Sequence, residues 1–262
     1  MKVDFSFLQT APAIVIAFGI FVLLLLSYWL GHRLRNKQIR KNPELFAADM
    51  GTINGTLLAM LGLLLAFSFS MANSRYDTRR QLVIEEANAI GTVVLRTDVY
   101  PDSMRELLRR NLKDYVEERI AFYEAKMKMN LVVAHFLKAD SIGKVVWSIA
   151  ASYAKVDNIT TRTSELIPAL NEMIDITTTR RAAGEATIPD SILYFLFTLS
   201  ICCSFLIGYD HKAAINWVVV VGFAIMLSAT VFTIIDLDRP RGGLINMDGP
   251  NQKIVELRQM FD

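Results

Sequence analysis

The chain has 262 residues, 53% of them hydrophobic, with a mean hydropathy of +0.33. This exceeds the roughly 45–50% apolar content of an ordinary soluble domain and puts part of the chain out of water. Twenty-eight basic and 26 acidic residues leave a net charge of +2, too balanced for a nucleic-acid partner recruited by charge. The two cysteines, Cys202 and Cys203, adjoin each other in an apolar run and make neither a disulfide framework nor a spaced zinc motif.

Residues 13–30 are the first uncharged stretch long enough for a helix to cross roughly 30 Å of hydrocarbon. Only Lys2 and Asp4 precede it, it lacks a small-residue cleavage pattern, and a basic cluster follows directly, so it reads as a retained anchor rather than a signal peptide. The second span, 53–71, continues without Gly or Pro over residues 72–90, which predicts one long helix leaving the membrane and running to about Arg96. Glu85, Glu86 and Asn88 on this extension are expected on a solvated face. Pro101 and Asp102 interrupt the pattern. Ser103 with Glu106 three residues later is a capping-box pattern, opening a helix to about Asn130 whose apolar residues Leu108, Leu112, Tyr115, Phe122 and Tyr123 recur at helical intervals. Further helices are predicted over 141–155 and from near Ser164 to before Gly184. Pro189 suits the first turn of a third span, 191–209, and a fourth covers 213–235. In the tail Pro240, Gly242, Gly243, Gly249 and Pro250 read as turns rather than helix.

The fold class is therefore all-α: a polytopic membrane protein of four transmembrane helices with a helical insert between the second and third. Its parts are a first transmembrane pair with a basic connecting loop (1–71), a helical extramembrane domain (72–190), a second transmembrane pair (191–236) and a tail (237–262). Four crossings put the N-terminus, the insert and the tail on one side. The short first loop carries Arg33, Arg35, Lys37, Arg40 and Lys41 against Glu44 and Asp49, which marks it as cytoplasmic under the positive-inside rule and the insert as extracytoplasmic. Arg75, Arg79 and Arg80 beyond the second span, with Arg239 and Arg241 beyond the fourth, pull the other way. Long segments translocate largely regardless of charge, so the short loop decides.

Turned at 100° per residue, the second span separates into three stripes. Gly51, Gly55, Ala59, Gly62 and Ala66 give small-xxx-small spacings suited to close helix packing against protein. Leu57, Leu58, Leu61, Leu64 and Leu65 lie opposite, suited to lipid tails or bulky packing. Thr56, Met60, Leu63, Phe67, Ser70 and Ser74 form a third stripe, polar at its ends and apolar in its middle. In a ring of such helices it lines a pore with a dewetting constriction at Leu63 and Phe67; otherwise it is another helix contact. At the ends of the second and fourth spans, Arg75, Asp77, Arg79 and Arg80 meet Asp236, Asp238, Arg239 and Arg241 in a charged collar, read as an interhelical salt-bridge ring or an ion-attracting vestibule.

Catalytic constellations are missing from the sequence. His32, His135 and His211 lie on separate segments with no carboxylate at metal-ligand spacing, and the sequence has no metalloprotease signature, P-loop, dinucleotide fingerprint or nucleophile elbow. No enzyme activity, metal or cofactor is expected, and Cys202 and Cys203 read as packing residues.

The stretch SRYDTRRQLVIEEANAIGTVVLR, residues 74–96, resembles the signature of a bacterial membrane family described as bestrophin-like, and DLDRPRG, residues 236–242, resembles the family's block after the last span. The resemblance implies pentameric anion channels of four-span subunits, with a pore lined by the second span and a constriction of apolar rings, the role open to Leu63 and Phe67. No acidic calcium clasp of the bestrophin type is matched in this chain, and bestrophins keep the middle domain cytosolic. The reading that follows is a homo-oligomeric channel of the cell inner membrane for small anions, surrounded by lipid and self-associating, with Arg75, Arg79 and Arg80 concentrating anions at its mouth. The alternative is a non-transporting sensor or scaffold whose helical middle domain binds an envelope partner.

Overall fold

The computed structural model describes residues 7–41, 51–155, 160–211 and 215–262, and among these the regular structure is helical, with no strand. The helices are α1 (Ala13–Ile39), α2 (Gly51–Arg96), α3 (Asp102–Glu124), α4 (Met129–Ala154), α5 (Thr160–Glu185), α6 (Asp190–Asp210), α7 (Trp217–Asp238) and α8 (Asp248–Glu256). A single helical turn at Phe7–Thr10 and short 3-10 turns at Thr97–Val99 and Leu257–Phe261 accompany them. Four of the helical stretches are long and apolar enough to cross a membrane, and the protein is a multi-pass membrane protein. The chain divides into two compact units, Met1–Arg75 with Thr187–Arg239, and Tyr76–Ala186 with Pro240–Asp262.

In the first unit α1 packs along α6 and against α7. The α1–α6 pair is parallel: the Ser204 hydroxyl donates to the Leu24 carbonyl at 2.7 Å, and further along Arg35 donates to the His211 carbonyl at 2.9 Å. Ser27 also donates to the Ile201 carbonyl at 2.8 Å. Hydrocarbon offers hydroxyls no water, so these cross-helix bonds satisfy them and hold the register. The helices come close enough for this because Gly31 and Gly208 sit at the crossing. A methyl on Gly31 would run into the Phe205 carbonyl and lie 2.9 Å from the Tyr209 nitrogen; one on Gly208 would run into the Tyr28 carbonyl. The loop acids Glu44 and Asp49 lie outside the described residues, and the basic residues Arg33, Arg35 and Lys37 extend α1 rather than forming loop.

In the second unit the outer part of α2 contributes Val83, Ile90, Val93 and Val94 to a core completed by Leu108, Leu112 and Tyr115 of α3, Val146 of α4 and Leu170 and Met173 of α5. α2 runs unbroken for 46 residues, as the breaker-free stretch 72–90 predicts.

Several boundaries differ from the sequence expectation. Ser103 is not a cap: Pro101 holds the N-cap position with ψ 151, its carbonyl accepting from Met104 and Arg105, and Ser103 lies inside the first turn. α3 stops at Glu124 rather than near Asn130, because Lys126 adopts φ 45 and turns the chain without Gly or Pro; α4 then starts at Met129, well before Ser141. Pro189 is the N-cap of α6 rather than a first-turn residue. The tail is not all turn: Gly249 and Pro250 sit in the first turn of α8, where a missing N–H costs nothing, and Ile254 and Leu257 bury themselves in the core.

The crossing gives a direct check. Gly31→Ala or Gly208→Ala should destabilise the protein by roughly 1–3 kcal/mol through overpacking, whereas Gly222→Ala, whose added methyl meets nothing within 4 Å, should change the stability of the detergent-purified protein by less than about 0.5 kcal/mol.

Candidate functional site

The membrane part of α2 buries only one narrow side within its own chain. Leu61 is 2% exposed and Ser68 and Ala72 are fully covered, with Asn54, Leu57, Leu64, Leu65 and Met71 half-buried on the same side. Asn54 donates to the Asp210 carboxylate at 2.9 Å, fixing the start of α2 to the end of α6. The leucine stripe, read as a possible tail-facing surface, is thus the side packed in the chain; of its members only Leu58 is exposed.

The small-residue stripe is open. Gly51, Gly55, Ala59, Gly62 and Ala66 are all exposed, and a methyl on Gly55 or Gly62 would meet nothing within 4 Å. Among the described residues, the expected close packing on this face is therefore not made within one chain. Next to it, Thr56, Met60, Leu63, Phe67, Ser70 and Ser74 are also exposed, Leu63 at 57% and Phe67 at 60%. Thr56 donates to the Thr52 carbonyl at 2.9 Å, so its hydroxyl is satisfied by its own helix. The two stripes together leave a broad face of the span, small residues beside large apolar ones with hydroxyls at both ends, available to lipid or to a neighbouring copy.

The collar residues fall into both units. In the first unit Arg75 stands 3.9 Å from the Asp238 carboxylate, which also accepts from the Ile188 backbone at 2.9 and 3.1 Å; Asp236 is 1% exposed. Arg239 donates to the Leu8 and Ala11 carbonyls. In the second unit buried Arg79 donates to the Ala183 and Ala186 carbonyls at 3.1 and 2.7 Å, Arg241 donates to the Phe122 carbonyl at 3.0 Å, and Asp77 and Arg80 are exposed. Arg79, Arg239 and Arg241 each satisfy backbone carbonyls, since the fixed fork of guanidinium donors reaches several acceptors at once.

Sequence reasoning missed the strongest polar feature. Glu86 is completely buried, not solvated; Glu85 and Asn88 beside it are exposed. Fifteen residues and roughly 22 Å of helix beyond Met71, its carboxylate accepts from Arg119 at 2.5 and 3.1 Å and from Arg180 at 2.6 Å. Arg180 also donates to Asn251 at 2.8 Å, so one carboxylate ties together α2, α3, α5 and α8. Burial acts to raise the Glu86 pKa, but the Arg119 and Arg180 charges outweigh it and hold the carboxyl down at about 2. The available signal was the helical phase, which sets position 86 on the side of Val83 and Ile90.

A family model described as Bestrophin-like domain matches residues 18–247. The chain is similar in fold to crystal structures of a bacterial bestrophin homolog from Klebsiella pneumoniae. A tryptophan-to-alanine mutant of that protein matches with a TM-score of 0.72 at 12% identity over 96% of this chain and 97% of that one. The structure obtained by zinc SAD phasing matches with a TM-score of 0.67 at 15% identity over 92% and 97%. Among curated proteins none matches.

The Glu86 network sets a pH dependence. A carboxyl with a depressed folded pKa contributes its full stabilisation above the unfolded value near 4.5 and loses it as pH falls toward 2. Unfolding followed between about pH 7 and about pH 2.5 should therefore show stability falling below about pH 4.5 through this group, and Glu86→Gln should flatten that fall. Glu86→Ala should cost roughly 3–5 kcal/mol at neutral pH by stranding buried guanidinium charge.

Proposed function

The chain belongs to the bestrophin-like family, and on that premise we propose that it is a homo-oligomeric channel for small anions in the cell inner membrane, conducting rather than catalytic, with α2 lining the path. The observation that carries this reading is the open pair of stripes on α2. A neighbouring copy can approach closely over Gly55, Ala59, Gly62 and Ala66, and this turns Met60, Leu63 and Phe67 of each copy toward a common axis. Rings of Leu63 and Phe67 then form an apolar constriction that gates by dewetting, with Thr56 at one mouth and Ser70 and Ser74 at the other. Arg79 is committed to backbone carbonyls, so attraction of anions falls to exposed Arg80 with half-buried Arg75.

Purified protein in planar bilayers should carry a current whose reversal potential follows an imposed chloride gradient, and Phe67→Ala should raise the unitary conductance. A well-folded protein that is monomeric in detergent and passes no current overturns the channel reading and favours the sensor or scaffold.

The reading also puts the first loop in the cytoplasm, on the strength of Arg33, Arg35, Lys37, Arg40 and Lys41, and the insert and tail outside it. In a variant lacking Cys202 and Cys203, a cysteine introduced at exposed Glu106 should react with a membrane-impermeant maleimide in cells with a permeabilised outer membrane. Reaction only after lysis reverses the orientation.

A further inference from the structure

Around the ring of Phe122 three guanidinium groups converge: Arg241 at 4.3 Å from the ring centroid, Arg119 at 4.7 Å and Arg180 at 5.8 Å. Each gains from the negative face of the ring, but one aromatic ring does not neutralise three charges. Among the described residues the carboxylate that meets them is Glu86, and both of its oxygens are taken by Arg119 and Arg180. The nearby Asp248 carboxylate accepts from the Tyr123 hydroxyl at 2.6 Å instead. Arg241 is left with one protein acceptor among the described residues, the Phe122 carbonyl, although a guanidinium carries five N–H donors. Gly242 and Gly243 directly after it take φ 76 and 127, a turn that a side chain would strain.

The arrangement is a layered one. Glu86 and Arg119 are sealed, Arg180 is nearly covered, and Arg241 is half-buried and the most accessible of the four. Buried charge in excess of its counter-charge is costly and draws a partner of opposite sign.

We propose that Arg241 and Arg180, over the Phe122 ring, form a binding site for a phosphate-class oxyanion in the extramembrane unit, built from residues that belong to neither stripe on α2. The planar fork of arginine matches the spacing of oxygens on such an anion, which a monatomic halide lacks. Burial, together with the like charges of Arg180 and Arg119, drives the Arg241 pKa down to about 10, the direction that a bound anion reverses.

The test is thermal unfolding of the full-length protein in lipid-free detergent, titrated with inorganic phosphate against sodium chloride at matched ionic strength. Phosphate should raise the melting temperature beyond the chloride control. Arg241→Met should raise the half-saturating phosphate concentration by roughly tenfold or more, as loss of a charged hydrogen-bond donor implies. Repeating the titration in nanodiscs separates the sources: if phosphatidylglycerol abolishes the phosphate response and phosphatidylcholine does not, a lipid headgroup phosphate is the occupant. Equal melting in phosphate and chloride, or an unaltered phosphate response in Arg241→Met, overturns the site. Because the readout is melting rather than current, a silent bilayer leaves this proposal standing, and a failed phosphate response leaves the channel reading standing.

Discussion

One unbroken helix must be compatible with two solvents. α2 passes from a stretch without charge into a stretch whose inward face carries Val83, Glu86, Ile90 and Val93, and no proline relieves it between Met71 and Arg96. The hydrocarbon part leaves Leu63 and Phe67 exposed on the single chain, open to lipid tails or to a neighbouring copy. The outer part needs partners for every buried polar atom, and the carboxylate of Glu86 obtains them from two other helices at once. Remove that carboxylate and two guanidiniums, Arg119 sealed and Arg180 nearly covered, lose their counter-charge, which is why so much of the extramembrane unit depends on a single side chain.

Arginine is used in two ways in this chain. At Arg79, Arg239 and Arg241 the guanidinium meets main-chain carbonyls, so charge is held in place by dipoles. At Arg119 and Arg180 it meets a carboxylate and an aromatic face together. A carbonyl dipole orients a guanidinium, whereas a carboxylate also cancels its charge.

The four spans were legible in the sequence because about twenty residues without charge have few stable places outside a bilayer, and the long α2 because nothing in residues 72–90 breaks a helix. The turn at Lys126 was not legible: a lysine in the left-handed region carries no compositional mark, and tertiary packing on either side imposes it. α8 was hidden by Gly249 and Pro250, which punctuate a helix interior but are harmless in a first turn. Glu86 was misjudged because the residues that neutralise it lie 33 and 94 positions away, and a single helix face does not announce which of its charges will find such partners. The stripes on α2 were readable as patterns, but which stripe the chain itself would cover depended on where the other spans fell.

The parallel crossing of α1 and α6 bears on how the protein is made. The partners at Ser27 and Ile201 are 174 residues apart in sequence, so α1 enters the bilayer long before the helix that it grips exists. At roughly 5–20 residues per second of synthesis, α1 waits on the order of ten to thirty-five seconds. Through that interval Ser27 and the notch at Gly31 lack the partners that α6 gives them, and their contact with it forms only after the insert has been made. Assembly of the membrane part is therefore a late event, timed by the length of the segment between its own halves.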